Sequence, residues 1–203
     1  MKFDVIYADP PWRFRNFSMS ERAVRGEKWE RANGRPIYDT MNTEDIASLD
    51  IQSIAAKNCI LFLWVTFPKL EDGLHVIKSW GFEYKTIGFC WVKTNPSGRG
   101  WHFGLGFWNR GNSELCLLAT KGRPKRVDSC VESLLIAPRG RHSAKPPETR
   151  DRITQLMGPD VTKIELFARE VVDGWTALGY EVNGGMDIRD SLKIVASWDT
   201  DEE

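Results

Sequence analysis

Phe3-Asp4-Val5-Ile6-Tyr7-Ala8-Asp9-Pro10-Pro11-Trp12 reads as a buried strand that runs into an acid, two prolines and an indole. Neither proline has an N–H to donate to a ladder, so the chain must leave the sheet at Asp9. It leaves as a stiff loop with φ restricted at two consecutive positions. That loop offers one carboxylate, fixed backbone carbonyls and a large flat ring. The set suits a planar group bearing an exocyclic amine, with the carboxylate and a carbonyl each accepting an N–H. The structural alternative is a rigid turn with a buried tryptophan. Open α/β folds place their ligands at this carboxyl edge of the sheet.

Working outward, the remaining elements alternate. Met41 to Ile46 opens a helix, with Asn42 or Thr43 as N-cap and acids in its first turn. Cys59-Ile60-Leu61-Phe62-Leu63-Trp64-Val65 is a continuous apolar run, as expected for a central parallel strand. Residues 69–80 follow a helical pattern with Leu70, Leu74, Val76 and Ile77 on its inward face, and Gly81 stops it. Strands are expected over 84–93, 113–119, 133–137 and 163–168, and a helix over 147–157. The strands at 84–93 and 113–119, with no helix between them, predict a local antiparallel pair. The rest predicts a doubly wound α/β sheet with helices on both faces.

The chain has 203 residues, enough for one well-buried core. Lys plus Arg and Asp plus Glu number 28 each, so any hold on nucleic acid must come from local patches. Two patches stand out, Arg139-Gly140-Arg141-His142 with Lys145, and Lys121-Gly122-Arg123-Pro124-Lys125-Arg126. Each is either a phosphate contact or a solvated loop. Cys59, Cys90, Cys116 and Cys130 form no C-x-x-C pair and have no histidine at ligand spacing, so no metal site is expected. No signal peptide or membrane-length apolar stretch is present in the sequence, and a reduced, cytoplasmic setting is expected. Nine tryptophans are many for this length, and those in polar loops point to recognition.

Motifs in a fixed order give the chain a family resemblance: Ala8-Asp9-Pro10-Pro11-Trp12, Tyr38-Asp39-Thr40-Met41, Leu61-Phe62-Leu63-Trp64-Val65-Thr66, Trp80-Gly81-Phe82, Trp91-Val92-Lys93-Thr94, Lys121-Gly122, His142-Ser143-Ala144-Lys145-Pro146, Ile164-Glu165-Leu166-Phe167-Ala168-Arg169 and Gly174-Trp175. The sequence resembles the MT-A70 family of S-adenosylmethionine-dependent adenine N6-methyltransferases, from residue 3 to about residue 193. The resemblance implies a class I methyltransferase fold, Rossmann-like and circularly permuted, with the catalytic motif N-terminal and the cofactor strand C-terminal. It explains why no G-x-G-x-x-G follows an early strand. One domain is expected over 1–193, with insertion loops at about 13–37 and 94–112 and an acidic tail at 194–203.

The implied reaction carries a methyl group from S-adenosylmethionine to adenine N6 in nucleic acid, DNA being favoured over RNA in a bacterial or phage-infected cell. A catalytically silent nucleic-acid-binding subunit is the alternative of another class. The resemblance implies catalytic roles for Asp9, Pro10, Pro11 and Trp12. Asp9 and the Pro10 carbonyl would accept the two N6 hydrogens while Trp12 stacks on the base. Ala8, Asp9, Ser143, Lys145, Glu165, Phe167, Arg169 and Glu181 are the implied cofactor contacts, with Lys145 on the methionine carboxylate. Tyr38 matches a family tyrosine near the substrate pocket, with a turn role as the alternative, and Arg13, Arg15, Trp101 and Trp108 are expected substrate contacts because their loops interleave basic residues with aromatics. Glu170-Val171 and Tyr180-Glu181 depart from the His-Asn and Asn-Gln of several relatives, which leaves the ribose and adenine contacts open. A duplex target base must be extruded or presented single-stranded. No membrane partner is expected, and the oligomeric state stays open, a homo-oligomer included.

Overall fold

A computed structural model of the chain describes residues 1–13, 40–104, 108–140 and 144–199. Seven strands form one sheet in the order β5-β3-β4-β2-β1-β6-β7. They are β1 (Phe3–Ala8), β2 (Ala55–Val65), β3 (Glu83–Thr94), β4 (Ser113–Lys121), β5 (Leu134–Pro138), β6 (Lys163–Leu166) and β7 (Thr176–Leu178). β1 pairs in parallel with both β2 and β6, β6 with β7, and β3 with β5. β4 is antiparallel to its neighbours β2 and β3. The expected hairpin-like pair is therefore present. The expected central parallel strand β2 is parallel on one side only, because β4 returns directly from β3 and inserts beside it.

Helices α1 (Thr43–Ala47), α2 (Leu70–Ser79) and α4 (Ile188–Ala196) pack on one face of the sheet, and α3 (Glu148–Met157) on the other. Alternation along β1 divides its side chains between the two cores. Ile6 and Ala8 face α1, α2 and α4, whereas Val5 and Tyr7 face α3; an irregularity in register between Phe3 and Val5 puts Phe3 in the first core, out of alternation. The mixed α/β architecture, with helices on both sides, is Rossmann-like. α1 opens with the Asn42 side chain accepting the Asp45 N–H at 2.8 Å, as its sequence predicts.

One helix face differs from expectation. α2 buries Gly73, Val76 and Ile77, with Trp80 just beyond its end, while Leu70 and Leu74 are exposed. The cause is close approach. A Cβ on Gly73 would collide with the Val65 side chain, so the helix lies against the sheet through its backbone there. That contact selects the 73/76/77/80 stripe and turns Leu70 and Leu74 outward. β6 also stops earlier than expected, at Leu166, because Phe167 adopts φ 63° in the left-handed region.

Cys59 and Cys116 are buried and Cys90 is half-buried, so these cysteines act as small hydrophobes. Burial pushes the Cys59 thiol up to about 12. Among the described residues no helix is long and apolar enough to cross a membrane, and no cluster of His, Cys, Asp or Glu could hold a metal ion.

Trp80 is fully buried, and its Nε1 donates to the Ile46 carbonyl of α1 at 2.9 Å. Trp80→Ala should cost about 3–5 kcal/mol, through the cavity and the freed carbonyl. Urea unfolding measures this directly. A loss below about 1 kcal/mol would show that the indole does not fasten α1 to α2.

Candidate active site

The sheet order changes direction at β1, whose neighbours β2 and β6 come from opposite ends of the sequence. Ala8 is in register with Leu166, so Asp9 and Phe167 leave the sheet side by side. A crevice opens at such a switch point because the connections depart in opposite directions. The two prolines keep the chain from closing it.

The loop after β1 is fixed by its own backbone. The Trp12 N–H donates to the Pro10 carbonyl at 2.8 Å, Met41 N–H to Pro11 O at 2.9 Å, and Arg13 N–H to Met41 O at 3.0 Å. Trp12 is only 4% exposed, and its Nε1 donates to the Trp64 carbonyl at 2.9 Å. Its ring packs into the core beside β1 and β2, where it anchors the loop.

Asp9 faces a cation. Lys145 Nζ lies 2.6 Å from Asp9 Oδ1 and 3.3 Å from Glu114 Oε2, and Glu114 also pairs with Lys93. All four side chains are largely buried. Lys145 sits over the Trp64 ring at 5.4 Å and Lys93 over the Trp91 ring at 4.8 Å. Trp64 Nε1 donates to the Tyr7 hydroxyl at 2.8 Å. The aromatic wall beneath the charges is thus itself hydrogen-bonded.

The charges do not share equally. Burial pushes the Asp9 carboxyl up, Lys145 offsets only part of that, and Asp9 stays above its ordinary value. Burial acts the same way on Glu114, but two lysines outweigh it and hold Glu114 below its ordinary value. Burial pulls Lys145 down, yet Asp9 and Glu114 together raise it. Glu114 pairs with two lysines, whereas Asp9 pairs with Lys145 alone and feels Arg169 more weakly. Asp9 is therefore the undercompensated carboxylate of the cluster.

A second group lies beyond Asp9. Arg150 of α3 donates to Glu165 at 2.8 Å and also pairs with Glu170. Burial keeps the Glu165 carboxyl raised even so, and Asp9 adds to the rise. A cleft of about 520 Å³ runs alongside, lined by Pro147, Arg150, Thr154, Glu170 and Trp175.

Of the residues named from the sequence, Ala8, Asp9, Pro10, Pro11, Trp12, Lys145, Glu165, Phe167 and Arg169 cluster on this edge. Trp101, half-exposed, bridges to Thr94 at the end of β3, and Trp108 is fully exposed. Arg13 is exposed beside the loop, and Glu181 is exposed in the turn after β7. Arg15, Tyr38 and Ser143 lie outside the described residues. Glu114 and Arg150 were missed as site residues, and Lys93 was noted only within a motif. For Glu114 the available signal was an acid immediately ahead of the apolar run Leu115-Cys116-Leu117-Leu118, within the same strand.

Comparison with known proteins adds a family match. The MT-A70 family model matches residues 3–181. The chain is 36% identical over 192 residues to the Type II methyltransferase M.MunI of Mycoplasma sp, covering 89% of this chain and 78% of that protein. It is 28% identical over 194 residues to an N(6)-adenosine-methyltransferase MT-A70-like protein of Arabidopsis thaliana, spanning 25% of that protein's length. It is also 28% identical over 186 residues to the N(6)-adenosine-methyltransferase catalytic subunit METTL3 of Homo sapiens, spanning 29% of it.

The charge cluster makes a pH signature. Glu114 is held below its ordinary value of 4.5, so its ionised form contributes stability above that value. That contribution is lost as pH falls through the lower folded value. Asp9, raised in the fold, acts oppositely, and its contribution is lost as pH rises through its folded value. Glu114→Gln should therefore flatten the acid side of the stability curve, measured by urea unfolding from about pH 6 down to about pH 3. An unchanged slope would mean that Glu114 is not held by the two lysines.

Proposed function

The chain belongs to the MT-A70 family, and from that premise we propose that it transfers a methyl group from S-adenosylmethionine to adenine N6 in nucleic acid, with DNA preferred. The observation that carries the reading is the buried Asp9–Lys145 pair at the switch point of the sheet. The donor set fits the cofactor. Lys145 offers an ammonium to an α-carboxylate, while Asp9 and Glu165 offer negative charge to a cationic sulfonium compound. Phe167, set at positive φ where β6 ends, takes the cofactor's adenine in this reading, with Arg169 beside it. Glu170 is held by Arg150 and Tyr180 is exposed, so the ribose falls to side chains other than the His-Asn and Asn-Gln of relatives. β6 is then the cofactor strand of a circularly permuted methyltransferase, one domain spans residues 1–193, and the setting is cytoplasmic.

Bound S-adenosylmethionine supplies an electrophilic methyl group. The rest is the work of the chain. Adenine N6 is a weak nucleophile because its lone pair is delocalised into the ring. Asp9 accepting one N6–H, and the free lone pair of the Pro10 carbonyl accepting the other, would favour the rehybridised amine. The nitrogen gains positive charge during transfer, and an undercompensated carboxylate opposes that cost. Its raised affinity for a proton also suits Asp9 to take one afterward. Trp12 and Met41 fix the Pro10-Pro11 backbone, so these acceptors hold position. Base stacking passes to exposed aromatics of the 94–112 loop, Trp101 and Trp108, with Arg13 beside the target strand.

The preference for DNA rests on the higher identity and fuller coverage of a Type II methyltransferase. RNA is the second reading, supported by the N(6)-adenosine-methyltransferase relatives. Incubation with labelled S-adenosylmethionine and single- or double-stranded DNA and RNA, followed by detection of N6-methyladenine, decides among these. Cofactor binding without product on any substrate would leave a silent subunit.

Two variants separate the roles. Asp9→Asn should lower kcat by about 10²–10³ while the cofactor Kd changes much less. Lys145→Ala should weaken cofactor binding by about 10–100-fold, read by calorimetry. Normal turnover in the first, or an unchanged Kd in the second, overturns the corresponding assignment.

A further inference from the structure

The edge of the sheet opposite Asp9 carries the second basic patch. Lys121 ends β4, and Arg123, Lys125 and Arg126 project from the loop that follows, all three exposed. Lys57, also exposed, joins them from the start of β2. The loop is built rather than loose. Gly122 takes φ 65° where a side chain would collide with the Lys57 carbonyl, and the Arg123 N–H donates to Asn58 Oδ1 at 2.9 Å. Its far end is tied by Val127 N–H to the Leu156 carbonyl of α3 at 2.8 Å.

None of these five cations is ion-paired among the described residues. The neighbouring acids are already engaged. Glu83, in register with Thr120, pairs with Lys85 at 2.6 Å. Asp128 accepts from the Cys130 N–H and from Gln155, and Asp4 from Thr162, so both keep their charge but neither pairs with these cations. In a chain with equal numbers of positive and negative side chains, five cations against these two acids leave a local positive excess.

Register gives the separation from the reaction centre. Lys121 lies opposite Cys59 and Ala8 opposite Leu63, four residues along β2, with Asp9 one step further. Five steps at about 3.3 Å place the patch roughly 17 Å from Asp9 along the strand direction. A single catalytic pocket does not reach that far. The backbone of a duplex does, since about five base-pair rises of 3.4 Å span the same length.

We propose that Lys57, Lys121, Arg123, Lys125 and Arg126 form a remote phosphodiester-binding edge that holds the substrate nucleic acid about five base pairs from the target adenine. This rests on the proposed methyltransferase reading and adds a second contact to it. The edge reads charge, not sequence, and acts through the retention of long substrates. A target of a few nucleotides is too short to touch it.

The experiment compares the wild-type chain with R123Q/K125Q/R126Q on a duplex of about 24 base pairs and on a single-stranded oligonucleotide of about four nucleotides. Affinity is read by fluorescence anisotropy at several salt concentrations without cofactor, and methylation separately. Losing three phosphate contacts should reduce the slope of log K against log salt by about 2–3 and weaken duplex binding at least tenfold. Cofactor Kd, thermal midpoint and methylation of the short oligonucleotide should be unchanged. K57Q, on a different element, should lower the slope by about 1. An unchanged slope on the duplex overturns the proposal, as does an equal loss on the short oligonucleotide. A variant that loses a dimer rather than duplex affinity also overturns it, by making the edge a protein contact. Absence of N6-methyladenine on every substrate would instead defeat the methyltransferase reading, because the binding curves do not depend on turnover.

Discussion

A single buried ammonium shared between two carboxylates organises the carboxyl edge of this sheet. Lys145 reaches both Asp9 and Glu114, and Lys93 completes Glu114 from the other side. Burial taxes every member, and breaking such a cluster costs more than its pairs gain against apolar replacements. Its value lies in asymmetry. The acid paired with two lysines is held as an anion, whereas burial outweighs the cations around Asp9 and keeps its carboxyl raised. That difference puts the reactive potential at Asp9 and makes Glu114 a holder of Lys145.

The cluster stands only because the core beneath it is rigid. Tyr7, Trp64 and Trp91 form a connected wall, with Trp64 hydrogen-bonded to Tyr7 and packed edge-on against Trp91 at 6.3 Å. The same Trp64 offers its carbonyl to Trp12 on the opposite side of the strand. One residue of β2 therefore sets both the floor under Lys145 and the anchor of the proline loop. Cation–π attraction from Trp64 and Trp91 lowers the cost of holding two ammonium groups out of water. Packing and electrostatics are joined at these side chains.

Much of this was legible in the sequence, for reasons particular residues make plain. Proline's missing N–H fixed where β1 must end, and the uninterrupted apolar run of β2 marked a strand buried on both faces. The order of motifs gave the family before any coordinate. What escaped depended on partners distant in sequence. Glu114 and Lys145 are 31 positions apart, and nothing local pairs them. The anchoring of Trp12 escaped because a sequence does not reveal that the Trp64 carbonyl accepts its N–H. On α2, Val76 and Ile77 are buried as expected, but Leu70 and Leu74 are not, because hydrophobicity counts those leucines whereas close packing counts Gly73. Each miss is a case of tertiary contact overriding a local pattern.

Net neutrality hides a division of labour along the strands. At the carboxyl edge, cations are consumed internally: Lys93 and Lys145 by Glu114 and Asp9, Arg150 by Glu165 and Glu170. Such charges tune a pocket but attract little from solution, because their fields cancel within a few ångströms. At the opposite edge, Lys57, Lys121, Arg123, Lys125 and Arg126 keep their fields. Salt screens these beyond about 8–10 Å, so they act at contact and not as a long-range funnel. Chemistry and retention of a polyanion need opposite treatments of positive charge, pairing in the first case and exposure in the second. A separation of roughly 17 Å along the strands lets one small domain supply both without either field cancelling the other.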